Sequence, residues 1–492
     1  MIRKFITAAN ALWSDTSGII LPYVTLLLVA IVGMAVLALD GARYMSLQTQ
    51  LQNGADALAL AGAAELDRLP DSETRAVNAV NNLLANRPLF GARAGANVRV
   101  SRIELYSQLP ASDTSPMSAG VAAIDPMNAR FISVAVEPVT LTTVLPAALF
   151  GGANRLTTGA SAVAGFDQVV CEVAPLFVCN PFETDGMTYD QASASLQRAV
   201  VDPAARRRMI QLRQNGGAVR PYAPGDYGFL DAPTLPGSSD SVVDAVAQVR
   251  PAACFRRSAV NIRPGAIGAV RDAFNVRFDL YAGAMLENRS NANYAPAENV
   301  RKGYVGGGSG PNACGARPAT NWPIGSPPAQ ATGLPLDRTW PLMGGRMGDG
   351  DWDFETYWQV NHGGAGREVP VLAEGPAGNS NRPSRYTVYR YEIERGYVGD
   401  RSFGGETGTP ACYAGAEAPA APDRRIIHAA VLNCLSLGVG EAAQTNIPVA
   451  AFTKFFMTLP MAPSQTDLYV ETIGFVTPGD GTRDFEMVQL HR

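Results

Sequence analysis

The sequence predicts a mixed α+β protein in which one long N-terminal helix carries a loop-rich, β-dominated body. Three observations lead there. The run Ile19 to Leu39, IILPYVTLLLVAIVGMAVLAL, is uncharged and about 21 residues long, close to the roughly 20 that a helix needs to cross a bilayer's hydrocarbon core. Beyond it, apolar residues keep recurring at spacings of three and four, the period of a helix with one buried face. The rest of the chain is cut by Gly and Pro into short β-rich runs.

Residues 1–18 form a stub with Arg3 and Lys4 against Asp15. Basic flanks resist translocation, so the stub is expected in the cytoplasm and the remainder outside it. A cleaved signal peptide would show an apolar region of about 7 to 15 residues ending in a small-x-small site. This run is longer and passes into Asp40-Gly41-Ala42-Arg43. An uncleaved, single-pass anchor over 19–39 is therefore expected.

After the anchor, Tyr44, Leu47, Leu51, Ala55 and Leu58 make a helical seam, with Gln48, Gln52 and Asp56 on another face. One helix from about Ile19 to Leu66 is predicted, its seam free to pack against other helices. Small residues four apart, Ala57 with Ala61 and Ala59 with Ala63, fit close helix approach or plain helix propensity. A second helix is read over Asp71 to Leu84, and strands at Val98 to Ile103, from Arg130 and from Leu156. Together with the helix extension these define an α+β unit over 40–166.

Downstream, 167–287 reads as a mixed region with a helix around Ser193 to Gln214 and an amphipathic Ala269 to Phe274. The stretch 288–346 reads as long loops with little to bury. The last region, 347–492, reads as β-rich: YTVYRYEI at Tyr386 to Ile393, then RRIIHAAVLNC, VAAFTKFFMTLP and DLYVETIGFV. Val431, Leu432, Phe452, Phe456, Tyr469 and Val470 are its expected core.

All 6 cysteines, Cys171, Cys179, Cys254, Cys314, Cys412 and Cys434, follow the anchor. An even number on the exported side fits disulfides in an oxidising compartment, although six cysteines allow 15 pairings. Proximity in sequence gives Cys171 with Cys179, Cys254 with Cys314, and Cys412 with Cys434.

At 492 residues with 47 % hydrophobic content the chain can build real cores, and a net charge of -4 shows no basic excess that would mark a nucleic-acid partner. The only brief basic run is Arg206, Arg207, Arg208. Asp349, Asp351 and Asp353 superficially open a calcium loop, but Phe354 and Val360 stand where an EF-hand needs Gly and Glu. No HExxH, G-x-S-x-G, P-loop or dinucleotide fingerprint occurs. His362 and His428 read as structural, and Trp352, Tyr357 and Trp358 as core packing. No metal, cofactor or catalytic residue is expected.

The N-terminal segment, SGIILPYVTLLLVAIVGMAVLALDGARYMSLQTQLQNGADALALAGA, resembles that of TadG-like Flp pilus-assembly proteins. The resemblance rests on Gly18, Pro22, Asp40, Arg43, Leu51, Gln52, Ala55, Asp56, Ala57, Ala59, Ala61 and Gly62, with Asn53-Gly54 as a minor departure. CNPFE, PGDYGFLD, NVRFD, GDGDWDFETYW, NHGG and SRYTVYRYEI are similar, more loosely, to the family's exported part. It implies a bacterial inner-membrane protein with a periplasmic or extracellular body, serving pilus assembly beside pilins or pseudopilins.

Some relatives carry a metal-dependent adhesion site with Asp-x-Ser-x-Ser. Asp15-Thr16-Ser17 and Asp113-Thr114-Ser115 both lack the second Ser, so no such site is expected. Pilin-like relatives carry Glu five residues beyond a cleaved Gly; here Tyr23 follows Gly18 at that distance, against such processing. The expected function is structural, with self-association open. The alternative is a membrane-tethered adhesin or carbohydrate binder acting through the β-rich end.

Overall fold

The computed structural model describes residues 20–491 except 68–70, 83–97, 111, 113–114, 124–128, 145–153, 216–219, 236, 304–332, 373–381, 403–404, 416–422, 441–442, 463–465 and 478–482. The stub, Ile19, Leu83, Leu84, Asp113 and Cys314 thus lie outside the described residues. The chain divides into two units, Met1–Phe166 with Met487–Arg492, and Asp167–Glu486.

In the first unit, helix α1, Ile20–Ala63, is continuous. Its first half leaves large side chains bare: Leu26 is 70 % and Val29 68 % exposed. Its second half is core. Leu47, Leu51, Ala55, Ala59 and Ala63 are buried against Ala76 and Val80 of α2, Ser72–Asn82, and against a small antiparallel sheet. That sheet is built from β1, Val100–Gln108, β2, Val121–Ala122, and β3, Phe131–Val136. A hairpin, β4, Val139–Thr142, and β5, Arg155–Thr158, leads into β6, Ser161–Cys171, which pairs with β3. Period-two alternation turns Ile132, Val134 and Val136 toward the helix, and cross-strand Ala162 and Ala164 leave room for it. Arg75 on α2 ties the helix pair by reaching Glu65, Asp67 and Asp71.

The second unit closes six strands into a ring. Its elements run β7, Leu176–Cys179; α3, Tyr189–Val201; α4, Pro203–Arg206; β8, Ile210–Gln214; β9, Asp226–Asp231; α5, Ser239–Ala247; β10, Cys254–Arg256; β11, Val260–Arg263; and α6, Val270–Asn275. Then come α7, Phe354–His362; α8, Arg385–Glu394; β12, Ile426–Leu432; β13, Gln444–Ile447; β14, Ala451–Met457; and β15, Leu468–Phe475, while the last strand, β16, Arg483–Leu490, pairs with β6. The ring order is β9-β7-β12-β14-β15-β8, with β8 returning to β9, while β11 and β13 continue outward from β9. Closure satisfies backbone groups that an open edge would expose. Three neighbouring strands from 176–231 and three from 426–475 make up the ring, so the regions read separately as 167–287 and 347–492 supply one sheet.

Several local readings are corrected. The helix expected over Ser193 to Gln214 ends at Val201, because Pro203 disfavours helical backbone at the residue before it, and Ile210–Gln214 is a strand with alternating burial. The segment Tyr386 to Ile393 is helical. Ser384 caps it by accepting the Thr387 amide, and Arg385, Val388, Tyr389 and Glu392 are buried at spacings of three and four. The described ends of 288–346 are packed rather than loose: Ala295, Asn299, Val300 and Arg301 are at most 1 % exposed. Of the expected sheet core, all but the half-exposed Tyr469 are buried.

Cysteine pairing follows strand pairing, not sequence distance. Cys171 bonds Cys254, its direct opposite across β6 and β10. Cys179 bonds Cys434, since β7 runs parallel to β12 and Cys179 lies beside Leu432. Cys412 is disulfide-bonded too. None of the three neighbour pairs is formed.

One buried cation organises the aromatic side of this unit. Arg385, fully buried, donates to Asp337 Oδ1 and Glu471 Oε1, each at 2.7 Å, and stacks over Trp352 at 4.9 Å. Asp337 in turn accepts the Met209 and Gly350 amides. Burial pushes the Glu471 carboxyl up to about 7 from 4.5, Arg385 opposing the rise and Asp337 adding to it. Between those values the folded chain keeps a proton that the unfolded chain has lost, so this group's contribution to stability is full below about 4.5 and fades as pH rises through 7. Glu471→Gln should remove that slope. The wild-type advantage over the variant, from urea unfolding, should shrink with rising pH by on the order of 3 kcal/mol; a constant difference contradicts this assignment.

Candidate functional site

The candidate site is the junction where α1 passes from the bare half to the packed half. Asp40 is the first charged residue after the apolar run and is 4 % exposed. Its Oδ1 accepts the Val144 amide at 2.9 Å and Arg43 Nη1 at 3.3 Å, and Arg43 also reaches the Thr142 carbonyl at 3.4 Å. The Asp40-x-x-Arg43 pair therefore pins the chain after β4 to the helix at the point where the apolar run stops. A buried carboxylate needs such donors, since an unpartnered one costs several kcal/mol.

The seam lies just beyond. Leu47, Leu51 and Ala55 are wholly buried, Leu58 is 7 % exposed and Tyr44 is partly buried against them. The chain's own sheet and α2 occupy the seam, so it is not free for another protein's helix as the spacing alone implied. The residue sizes record this contact. A Cβ on Gly62 would stand 2.6 Å from both Ile132 and Val80, whereas one on Gly54 would meet only Val98, at 3.5 Å. The opposite stripe, Met45, Gln48, Thr49, Asn53 and Ala57, is exposed.

The body's distinctive motifs become internal pins. In CNPFE, Asn180 donates to Ala192 O and Asn433, and Glu183 accepts the Leu435 and Ser436 amides. In PGDYGFLD, Asp226 is held by Arg220, Arg346 and Asn215. In NVRFD, Asp279, at a left-handed φ of 61°, accepts the Ala411, Cys412 and Tyr413 amides. His362 of NHGG is fully buried, with Nε2 2.8 Å from Glu392 and Nδ1 2.9 Å from Asp400. Burial would raise the Glu392 carboxyl, but His362 and Arg301 hold it below its ordinary range. Both imidazole nitrogens are committed and sealed from solvent, which suits a structural joint and leaves no ring nitrogen for a substrate.

Asp349 accepts from Thr339 and from the Asp351 amide, and Asp353 caps α7 through Thr356, so these carboxylates build a turn. Trp352, Tyr357 and Trp358 form a core with Val388, Tyr389 and Phe456. Sequence reading missed the hub residues Arg385, Asp337 and Glu471. The available signal was isolated charge inside strongly apolar or aromatic runs, as at Glu471 in DLYVETIGFV.

Residues 18–65 match the Tad family model, described as Flp pilus-assembly TadE/G-like. The N-terminal segment is thus a Tad segment, in agreement with the TadG-like resemblance. Within it, Asp40 and Arg43 fix the junction, and Gly62 permits the close approach of the packed half to Ile132 and Val80. No curated protein and no solved structure matches the chain. The match spans the anchor and its packed extension and leaves the body unmatched.

The two glycines give a paired test in the purified full chain. Gly54→Ala should raise stability by about 0.5 to 1 kcal/mol, because Ala costs a helix less entropy and meets no clash. Gly62→Ala should lower it by about 1 to 3 kcal/mol through overpacking. Equal effects on the thermal midpoint would contradict the close approach at Gly62.

Proposed function

We propose that this chain is a structural, non-enzymatic component of a Tad/Flp-type pilus-assembly system. In this reading α1 anchors it in the bacterial inner membrane with residues 1–18 in the cytoplasm, and the disulfide-bonded body is exported. The observation that carries the proposal is the division of labour along one Tad-segment helix. Its first half is uncharged and bare, and is long and apolar enough to cross a membrane. Its second half is the core of a folded unit. The disulfides support an oxidising compartment for the body.

Because the seam is filled internally, pilin-like or pseudopilin-like partners, or a second copy, would meet the chain through the bilayer half or the exposed stripe from Met45 to Ala57. Leu27→Arg or Val32→Arg places a charge near mid-bilayer, at a cost of roughly 2.5 to 3.5 kcal/mol on insertion scales. Each variant should shift the chain from an alkali-resistant membrane fraction to the soluble one. Undiminished membrane retention of both variants would remove the anchor reading.

A further inference from the structure

The β4–β5 hairpin of the first unit ends at the level where the apolar run of α1 stops. Three hydrogen bonds set its direction. Gln52 Nε2 reaches the Ser161 carbonyl at 3.2 Å, Arg43 reaches the Thr142 carbonyl, and Asp40 takes the Val144 amide. From Gln52 back to Asp40 the helix spans about 18 Å, and from Ser161 back to Arg155 an extended strand spans about 20 Å. β4 and β5 therefore run beside α1 toward its bare half, and at their far end the Thr143 amide still pairs with the Asn154 carbonyl.

Burial changes along this hairpin. Leu141 and Leu156 are direct cross-strand partners and so share one face, yet Leu141 is 1 % exposed in the core of the unit while Leu156 is 39 % exposed. Val144, level with Asp40, is 55 % exposed, and the helix residues just before Asp40, Leu37 and Leu39, are bare as well. Between Val139 and Thr158 the sequence holds one charge, Arg155, and the connection over 145–153 reads LPAALFGGA. Arg155 is exposed and stands directly opposite Thr142, the residue whose carbonyl Arg43 reaches. Apolar side chains are thus exposed beside two guanidinium-bearing residues, at the level where the span ends.

We propose that the end of the β4–β5 hairpin is a second membrane contact, with Val144 and Leu156 entering the lipid interface beside α1 and Arg43 and Arg155 at the level of the lipid phosphates. This rests on the reading of α1 as the anchor. Depth and charge select lipid as the occupant. The exposed apolar residues continue the bare surface of α1, and an interface of acyl chains under anionic headgroups takes an apolar body and a cationic rim together. A lone helix leaves the unit it carries free to tilt and rotate, whereas a second interfacial point fixes both.

The test uses the full chain in vesicles of phosphatidylethanolamine and phosphatidylglycerol. A fluorescent residue is placed singly at Leu37, Val144 or Asn53 by codon reassignment, which leaves the cysteines alone, and lipids carry a nitroxide quencher near the top of the acyl chain. The label at Val144 should lose most of its emission, as one lying within the first 5 to 10 Å or so of the interface would. The label at Asn53, about 20 Å further along α1 than Asp40, should keep its emission. Quenching at Leu37 with none at Val144 overturns the hairpin contact and leaves the anchor standing. Emission kept at Leu37 overturns the anchor and the contact together. Equal quenching at Val144 and Asn53 also overturns the contact, because the unit would then lie flat on the lipid rather than touch it at the hairpin.

Discussion

A single helix serving two solvents is the constraint on which the first unit depends. From Tyr23 to Leu39 the side chains of α1 are matched to hydrocarbon, and from Leu47 to Ala63 they are matched to a protein interior. The two demands differ in kind. Lipid asks only for apolar surface and internal backbone hydrogen bonds, while the packed half asks for shape. That is why bulky Leu, Val and Ile fill the first half and why Ala55, Ala59, Gly62 and Ala63 recur in the second. Asp40 and Arg43 stand at the change of solvent, and their contacts to Val144 and Thr142 make it a fixed point.

The second unit meets a different problem, that of holding long, Gly- and Pro-rich connections onto a closed ring of strands. It does so with buried polar hubs more than with regular elements. Arg385, Arg301, Asp226, Asp279 and the His362 joint each gather loops distant in sequence, and the Cys179–Cys434 bond links residues 255 positions apart. Charges buried in this way are costly to break and modest in net value. What they contribute is a unique arrangement, since each carboxylate accepts from particular amides or guanidinium nitrogens.

How far the chain was legible follows from these physics. The anchor, its helical extension and the strands around Val134 could be read because period and length are local properties. So could Val431, Phe452 and Val470 as core. The helix Arg385–Glu394 was hidden because its aromatic and β-branched composition imitates a strand, and only the cap at Ser384 and the burial spacing reveal it. Disulfide partners were hidden because β6 meets β10 and β7 meets β12 only in the fold. The seam from Tyr44 to Leu58 was visible as a stripe, but a stripe does not say whether its partner belongs to the same chain.

That last point is the account's central claim, and photo-crosslinking from single positions in intact cells addresses it most directly. A photoreactive residue at Leu51, inside the seam, should yield only links within the chain, while one at Asn53, on the exposed stripe, should be able to capture a neighbouring protein. Capture of a pilin-like helix from Leu51, at wild-type levels of the folded chain, would contradict the account.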